Sequence, residues 1–303
     1  MPLSRREFIV TSSLAVTAGA LRPASLLGQQ TPAPPVVPTF EALRSNVGTF
    51  TARGGTIGWF VGPDAVVVVD SQFPDTAQMF LDGLKSRTQR KIDVFINTHH
   101  HGDHTGGNKL LRSSAIKMVA HENEPGLQKK QAAAAKTEDA QAYPDETFKD
   151  SWKANVGNEV VTAKYYGPGH TSGDVAVFFE RANVVHMGDL MFSNRHPRVD
   201  RPSGASIKNW IALLDQVTKE HGADTIYIFG HAKAGMPVKG SRADLLGFRD
   251  YFTALLDYVQ KGISAGKSAD EITKVAALPG FTGFEGVPTG TLQMAYEELT
   301  AKA

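Results

Sequence analysis

The sequence predicts an α+β protein built as a four-layer αββα sandwich, two β-sheets face to face with helices covering both outer faces. Three observations carry that expectation. Strand-type and helix-type segments alternate along the chain. Each half opens on a group of short strands punctuated by glycine, and the second half repeats this style without obvious sequence identity. Some strands are apolar throughout, as at Val66 to Val69, the pattern of a strand buried on both sides.

The elements follow in order. Phe50 to Ala52, Ile57 to Val61 and Ala65 to Asp70 read as short strands separated by Gly-Gly and Gly-Pro-Asp turns. Pro74 to Arg87 has helical character, with Met79, Phe80 and Leu84 on one side. Ile92 to Asn97 is a buried-type strand running directly into a histidine-rich segment, and Ile116 to Ala120 is another strand. Asn123 to Ala142, alanine-rich and bearing Lys129-Lys130, predicts an exposed helix. In the second half Glu159 to Tyr165, Asp174 to Phe179, Val184 to His186 and Thr225 to Gly230 are strands. Ser206 to His221 is a helix that Ser206 can cap, and Arg242 to Gln260 repeats apolar residues at helical spacing. Ala269 to Ala277 and Gly290 to Thr300 close the chain as helices.

Composition narrows the function. The chain has 303 residues, 41% hydrophobic and 21% charged, which excludes a disordered, collagenous or coiled-coil protein. Cysteine is absent, so disulfides, thiolate nucleophiles and cysteine zinc knuckles fall away together. The net charge is +1, and −1 once residues 1–30 are set aside; a body so close to neutral has no electrostatic footprint for nucleic acid.

Residues 1–30 read as an export signal: Arg5-Arg6 precede Phe8-Ile9 and a mildly apolar stretch from Val10 to Ala20. The adjacent arginines resemble the twin-arginine signal that carries folded proteins out of bacteria. The resemblance implies transient contact with the export machinery and a periplasmic or secreted destination. A proline-rich linker, 31–40, leads to a catalytic domain over 41–303. No other stretch holds 18 continuous apolar residues, so a stable membrane anchor is not expected.

The chemistry concentrates after the strand ending at Asn97. His99, His101, Asp103 and His104 place four metal-ligand side chains within six residues, and Gly102, Gly106 and Gly107 let the backbone pack closely around them. A tight turn can bring His99 and His101 to one ion and leave Asp103 and His104 facing a second.

His99-x-His101-x-Asp103-His104 is similar to the signature of the metallo-β-lactamase fold superfamily. Gly169-His170-Thr171-Ser172-Gly173 resembles that family's next ligand turn, Gly188-Asp189 its bridging acid, and Gly230-His231 its final ligand. Asp70 matches the acid that supports a ligand ring. The resemblance implies a first metal on His99, His101 and His170, and a second on Asp103, His104 and His231. Asp189 would bridge the two. It implies two Zn2+, with Asp103 also orienting the attacking water and moving its proton, and Asp70 accepting a ring N–H.

Departures bear on substrate. The broad-spectrum lactamases of this superfamily carry cysteine where this chain has Asp189 and lysine where it has Phe192; the Asp189 pattern resembles glyoxalase II-like thioesterases and lactonases. The expected reaction is cleavage of an ester, lactone, thioester or amide, β-lactams included, in a small molecule. Two rival readings are a non-haem oxygenase holding one Fe2+ and acting on a thiol or persulfide, and a non-catalytic exported metal-binding protein. Trp59, Tyr166, Asn194, Arg195, His196 and Lys233, near the candidate ligands or on turns, are the candidate substrate contacts. His100 and His186 are expected to be satisfied neighbours.

Overall fold

A computed structural model describes residues 36–301. The expected export signal therefore lies outside the described residues. So does the first half of the 31–40 segment, whose end already belongs to a strand beginning at Thr39.

Seven strands in chain order make the first sheet: β1 (Thr39–Arg44), β2 (Val47–Thr51), β3 (Ile57–Val61), β4 (Val66–Val69), β5 (Ile92–Ile96), β6 (Ala115–His121) and β7 (Glu146–Phe148). The first four form an antiparallel meander. From β4 onward the pairing is parallel, which requires crossovers. These are α1 (Pro74–Lys85), then the single turn α2 (Gly102–Thr105) with α3 (Asn108–Ser114), then α4 (Glu124–Ala135).

The second sheet repeats the plan. Its antiparallel run is β8 (Ser151–Val156), β9 (Glu159–Tyr165), β10 (Val175–Phe179) and β11 (Val184–His186). A two-residue strand, β12 (Phe192–Ser193), and the helix α5 (Ile207–Glu220) then lead to β13 (Ile226–Ile228), parallel to β11. β14 (His231–Ala232) pairs with β12 outside the sheet, and β15 (Lys239–Gly240) closes the sheet beside β13. Three helices finish the chain: α6 (Arg242–Ser264), α7 (Ala269–Thr273) and α8 (Thr289–Thr300).

Side-chain alternation explains the layers. Val67 and Val69 join Val177, Phe179 and Ile228 between the sheets, while Val66 and Val68 face outward onto Phe80, Leu81 and Phe95. The unbroken valine run is thus apolar because both faces are covered, each buried side chain contributing about 1.5–3 kcal/mol. Beyond the second sheet, Trp210 of α5 packs on Phe248, Phe252 and Leu255 of α6. The Ser206 hydroxyl accepts from Asn209 N–H at 3.2 Å and starts α5 as the sequence leads one to expect.

The short strands β1, β7, β12, β14 and β15 are not among the expected elements, the closing helix α7 ends at Thr273, and two further differences have a clear physical reason. β8 went unread because it has one wet face: Trp152 and Val156 are buried, while Ser151, Lys153 and Asn155 stay outside or nearly so. The helix expected over 123–142 ends at Ala135, where Lys136 turns left-handed with φ of 55°. Nor is it simply exposed, because Glu124, Gln128 and Ala132 are buried.

Glu124 carries an energetic consequence. Neither carboxylate oxygen has a hydrogen-bond partner among the described residues. Burial, with a smaller contribution from the Asp70 charge, pushes its pKa up to about 8 from 4.5. The folded chain then keeps a proton that the unfolded chain releases, so stability declines as pH rises from the ordinary value towards 8. Glu124→Gln is expected to raise the thermal midpoint by several degrees at pH 8.5 and by much less at pH 5; a difference independent of pH would contradict this.

Candidate metal centre

Every candidate ligand lies just beyond the carboxyl end of a strand. Asp70 follows β4, the segment 99–104 follows β5, His170 follows β9, Asp189 follows β11, and His231 comes three residues after the end of β13. Asp70 is fully buried and left-handed, with φ of 65°. Its Oδ1 accepts from Thr98 N–H and its Oδ2 from the Thr98 hydroxyl, both at 2.7 Å. That pair of bonds sets the angle at which the chain leaves β5. Close backbone approach completes the fit: a Cβ at Gly55 would lie 2.1 Å from the His104 ring, and one at Gly230 2.1 Å from Asp189 Oδ1.

Two clusters result, His99, His101, His170 and Asp189 in one, Asp103, His104 and His231 in the other, with ligand atoms within 4.8 Å of one another in each. Asp189 stands between them. Its Oδ2 is 3.3 Å from His170 Nε2 and 3.8 Å from His99 Nε2; its Oδ1 is 3.0 Å from His104 Nε2 and 3.4 Å from His231 Nε2. Asp103 Oδ2 lies 3.0 Å from His231 Nε2.

The donor set fits divalent metal. Tetrahedral bonds of about 2.0–2.1 Å separate neighbouring ligand atoms by about 3.3 Å, and the spacings cluster around that value. His99 Nε2 and Asp189 Oδ1 are buried yet have no well-aligned hydrogen-bond partner among the described residues. The far nitrogens of the rings are spoken for. His104 Nδ1 meets Asp70 Oδ2 at 2.7 Å, His170 Nδ1 meets the Arg198 carbonyl at 2.6 Å, and His101 Nε2 meets Asp200 Oδ2 at 2.8 Å. Each contact places the ring proton on the outer nitrogen and turns the lone pair of the inner one towards the cluster.

Electrostatics divides the clusters. Burial holds His99 well below the usual imidazole range and His170 down at about 3, so both are neutral donors. Burial also disfavours charge on His104 and His231, but the Asp189 carboxylate prevails, raising His104 well above its ordinary value and His231 to about 9. Burial opposes the charge on Asp189 in turn, and His231 and His104 hold it well below the carboxylate range. The second cluster therefore calls for positive charge, which protons or a bound cation can supply.

The clusters open into a cavity of about 570 Å3 lined by Asp103, Asp189 and His231, with Phe73 and Gln131 at its walls. Among the expected substrate contacts, Arg195 and His196 line it, and Lys233 lines an adjoining cleft. Three do not reach it. Trp59 is buried in the outer core with Phe40, Phe50 and Phe80, because β3 turns that face towards α1. Tyr166 is buried beside Phe178 and gives its hydroxyl proton to Glu220 at 2.6 Å. Asn194 is exposed in a left-handed turn, donating to the Ser193 hydroxyl. His186 is a satisfied neighbour, bonded to the Thr56 carbonyl and Gly188 N–H. Sequence reasoning missed Asp200, an acid eleven residues past Asp189 in a segment with no motif, while Arg198, in the basic loop after Asp189, also lines the cavity.

The class is that of an αββα protein presenting two His/Asp metal-binding clusters joined by one aspartate at the ends of its strands. The chain belongs to the metallo-beta-lactamase superfamily, whose family model matches residues 51–231. Metallo-beta-lactamase type 2 of Bacillus cereus is 25% identical over 171 residues, 56% of this chain and 64% of that protein. The chain thus spans a little under two thirds of that relative's length. Hydroxyacylglutathione hydrolase of Methylococcus capsulatus is 34% identical over 135 residues, 44% of this chain and 45% of that one. The stereoselective inverting sec-alkylsulfatase Pisa1 from Pseudomonas sp. shares the fold with a TM-score of 0.71 at 15% identity, over 88% of this chain and 51% of that one. Among the described residues no helix is long and apolar enough to cross a membrane.

Asp200 would support a bound metal through His101, whose Nε2 lies 2.8 Å from its Oδ2. Asp200→Ala is expected to weaken metal binding about 10–100-fold in a chelator competition, with the far-UV dichroism unchanged. Undiminished affinity would leave Asp200 without a part in metal binding.

Proposed function

We propose that this protein is a hydrolase with two zinc ions, cleaving an ester, lactone, thioester or amide bond in a small molecule. The observation that carries the reading is the Asp189 carboxylate, one oxygen facing each cluster. The relatives support it: the names of two describe opening of a lactam and hydrolysis of a glutathione thioester. His99, His101 and His170 would hold one ion, Asp103, His104 and His231 the other, and Asp189 would touch both. Bound there, the ions would lower the pKa of a shared water and polarise the oxygen of the scissile carbonyl.

The chain's own groups do the rest. Burial favours the neutral form of Asp103, but the hydrogen bond from His231 and the His104 charge hold it well below the carboxylate range. At the cavity wall it is placed to orient the attacking water and carry its proton to the leaving group. Asp70 and Asp200 keep His104 and His101 in the required tautomers. Phe192 lies nearly parallel to the His231 ring at 5.3 Å and shields that side from water. We also propose that the chain works outside the cytoplasm, on the strength of Arg5-Arg6 and the apolar stretch behind them.

Two outcomes test the reading. Asp103→Asn should lower kcat about 10²–10⁴-fold while the protein stays folded; full activity would remove Asp103 from the mechanism. Elemental analysis of protein purified without added metal should give about two zincs per chain, whereas about one iron with no zinc would put an oxygenase in its place.

A further inference from the structure

The metal cavity is one lobe of a larger space. A second cavity, of about 410 Å3, adjoins it, and Gly54, Arg195 and His231 line both. One wall of the second lobe is the β1–β2 hairpin, where Thr39 pairs with Thr51 and Glu41 with Thr49. The opposite wall is the 230–238 loop, including Lys233. Hydroxyls dominate the hairpin side. The one carboxylate lining this lobe, Glu41, is already paired with Lys239.

The cations of the second lobe are not neutralised in this way. Arg195 and Lys233 both line this lobe, each just beyond the end of the parallel β12–β14 pair, with Lys233 N–H donating to the Ser193 carbonyl. One segment, 283–285, braces both. Lys233 Nζ donates to the Gly283 carbonyl at 3.0 Å, Glu285 N–H donates to the Asn194 carbonyl at 2.9 Å, and Arg195 pairs with the Glu285 backbone. The segment is itself anchored by Phe284, stacked on buried Tyr251 at 4.7 Å. The only carboxylate within reach of Arg195 among the described residues is Glu285, at 3.9 Å, with both side chains nearly half exposed. A pair that long and that wet offsets little of the arginine's charge. A carbonyl offsets none of the lysine's.

Two under-neutralised cations on a braced backbone, beside a hydroxyl-lined trough that opens onto the metal cluster, match one ligand shape. We infer that the substrate is an elongated anion. Its scissile bond lies at the clusters, and its far end carries an oxyanion that Arg195 and Lys233 hold in the second lobe. The inference rests on the first lobe being where substrate meets metal. Whether the oxyanion is a carboxylate or a sulfate, the recognising chemistry is the same: charge-assisted N–H donors on a rigid base.

The test is calorimetric titration of the full, metal-replete chain with α,ω-dicarboxylates from succinate to sebacate, each against the monocarboxylate of equal length. One carboxylate can take the metals while the second reports on the far lobe. At one or more lengths the dicarboxylate should bind at least about tenfold more tightly than its monocarboxylate partner. The Arg195→Ala/Lys233→Ala double variant should reduce that ratio to about twofold or less, and Arg195→Lys should retain most of it. Equal binding at every length would overturn the inference. So would an advantage that survives the double variant, and one abolished instead by Arg198→Ala would put the anion in the first lobe. Matched sulfate monoesters of ω-hydroxy acids distinguish the two oxyanions by which is bound more tightly. Failure of every p-nitrophenyl ester to turn over would sink the hydrolase reading, yet the affinity ratio would still decide this one.

Discussion

The Asp70 carboxylate is the constraint on which the site depends. It sits fully buried where β4 ends, and burying an ionised acid is costly unless its lone pairs are taken. Three donors take them: Thr98 N–H, the Thr98 hydroxyl and His104 Nδ1–H. The backbone is left-handed there, a strain on the order of 1–3 kcal/mol for a residue with a side chain. Glycine would relieve that strain and lose all three bonds. Hydrogen bonds to a charged group contribute about 1.5–3 kcal/mol each, so the chemistry outweighs the strain and aspartate belongs there. The same carboxylate joins the exit of one strand to the entry of the histidine segment and fixes which nitrogen of His104 faces the cluster.

Around that joint the topology does the collecting. Parallel pairs bring their carboxyl ends to one edge, and each sheet contains such a pair: β4 with β5, β11 with β13. Asp70, His99, Asp189 and His231 all issue from those four strands, in keeping with the tendency of α/β crevices to form where parallel strands end. β9 runs in the same sense as β11, two antiparallel steps away, and delivers His170 to the same edge. The valine and phenylalanine layer between the sheets therefore acts as more than ballast. It holds the two halves of the cluster at the separation that Asp189 spans.

What was legible in the sequence follows from this division. Residues carried by a short contiguous motif, His99 to His104, or by a turn with its own signature, as at His170, could be read because chain distance approximates spatial distance there. The αββα order was legible for the same reason: strands covered on both faces are apolar throughout, and Val66 to Val69 shows it. Asp200 was not, because its partner His101 is 99 positions away and nothing local to Asp200 marks it. Trp59 and Tyr166 misled for a related reason. Neither a place near a turn, as at Trp59, nor nearness in sequence to a ligand, as at Tyr166, says which face a side chain takes, and in β3 and after β9 it is the core face. β8 was lost because an antiparallel strand with one wet face looks polar.

The residues that form the clusters and those proposed to meet substrate rest on different foundations. Asp70, His99, His104, His170 and Asp189 are almost wholly buried, each locked by a strand end and by at least one contact with another member or its support. Removing any one leaves a buried charge or donor unpaired, and the cost spreads through the network. Arg195 and Lys233 contact the core only through a bracing segment and the backbone of the β12–β14 pair, so their side chains can change while every cluster contact persists. The fold thus separates the buried clusters from the exposed cations proposed to select the substrate. That separation is the physical reason the family's scaffold determines the chemistry of this chain more closely than it determines the substrate, and why the substrate has to be read from the cations at the junction of the two lobes rather than from the histidines beneath them.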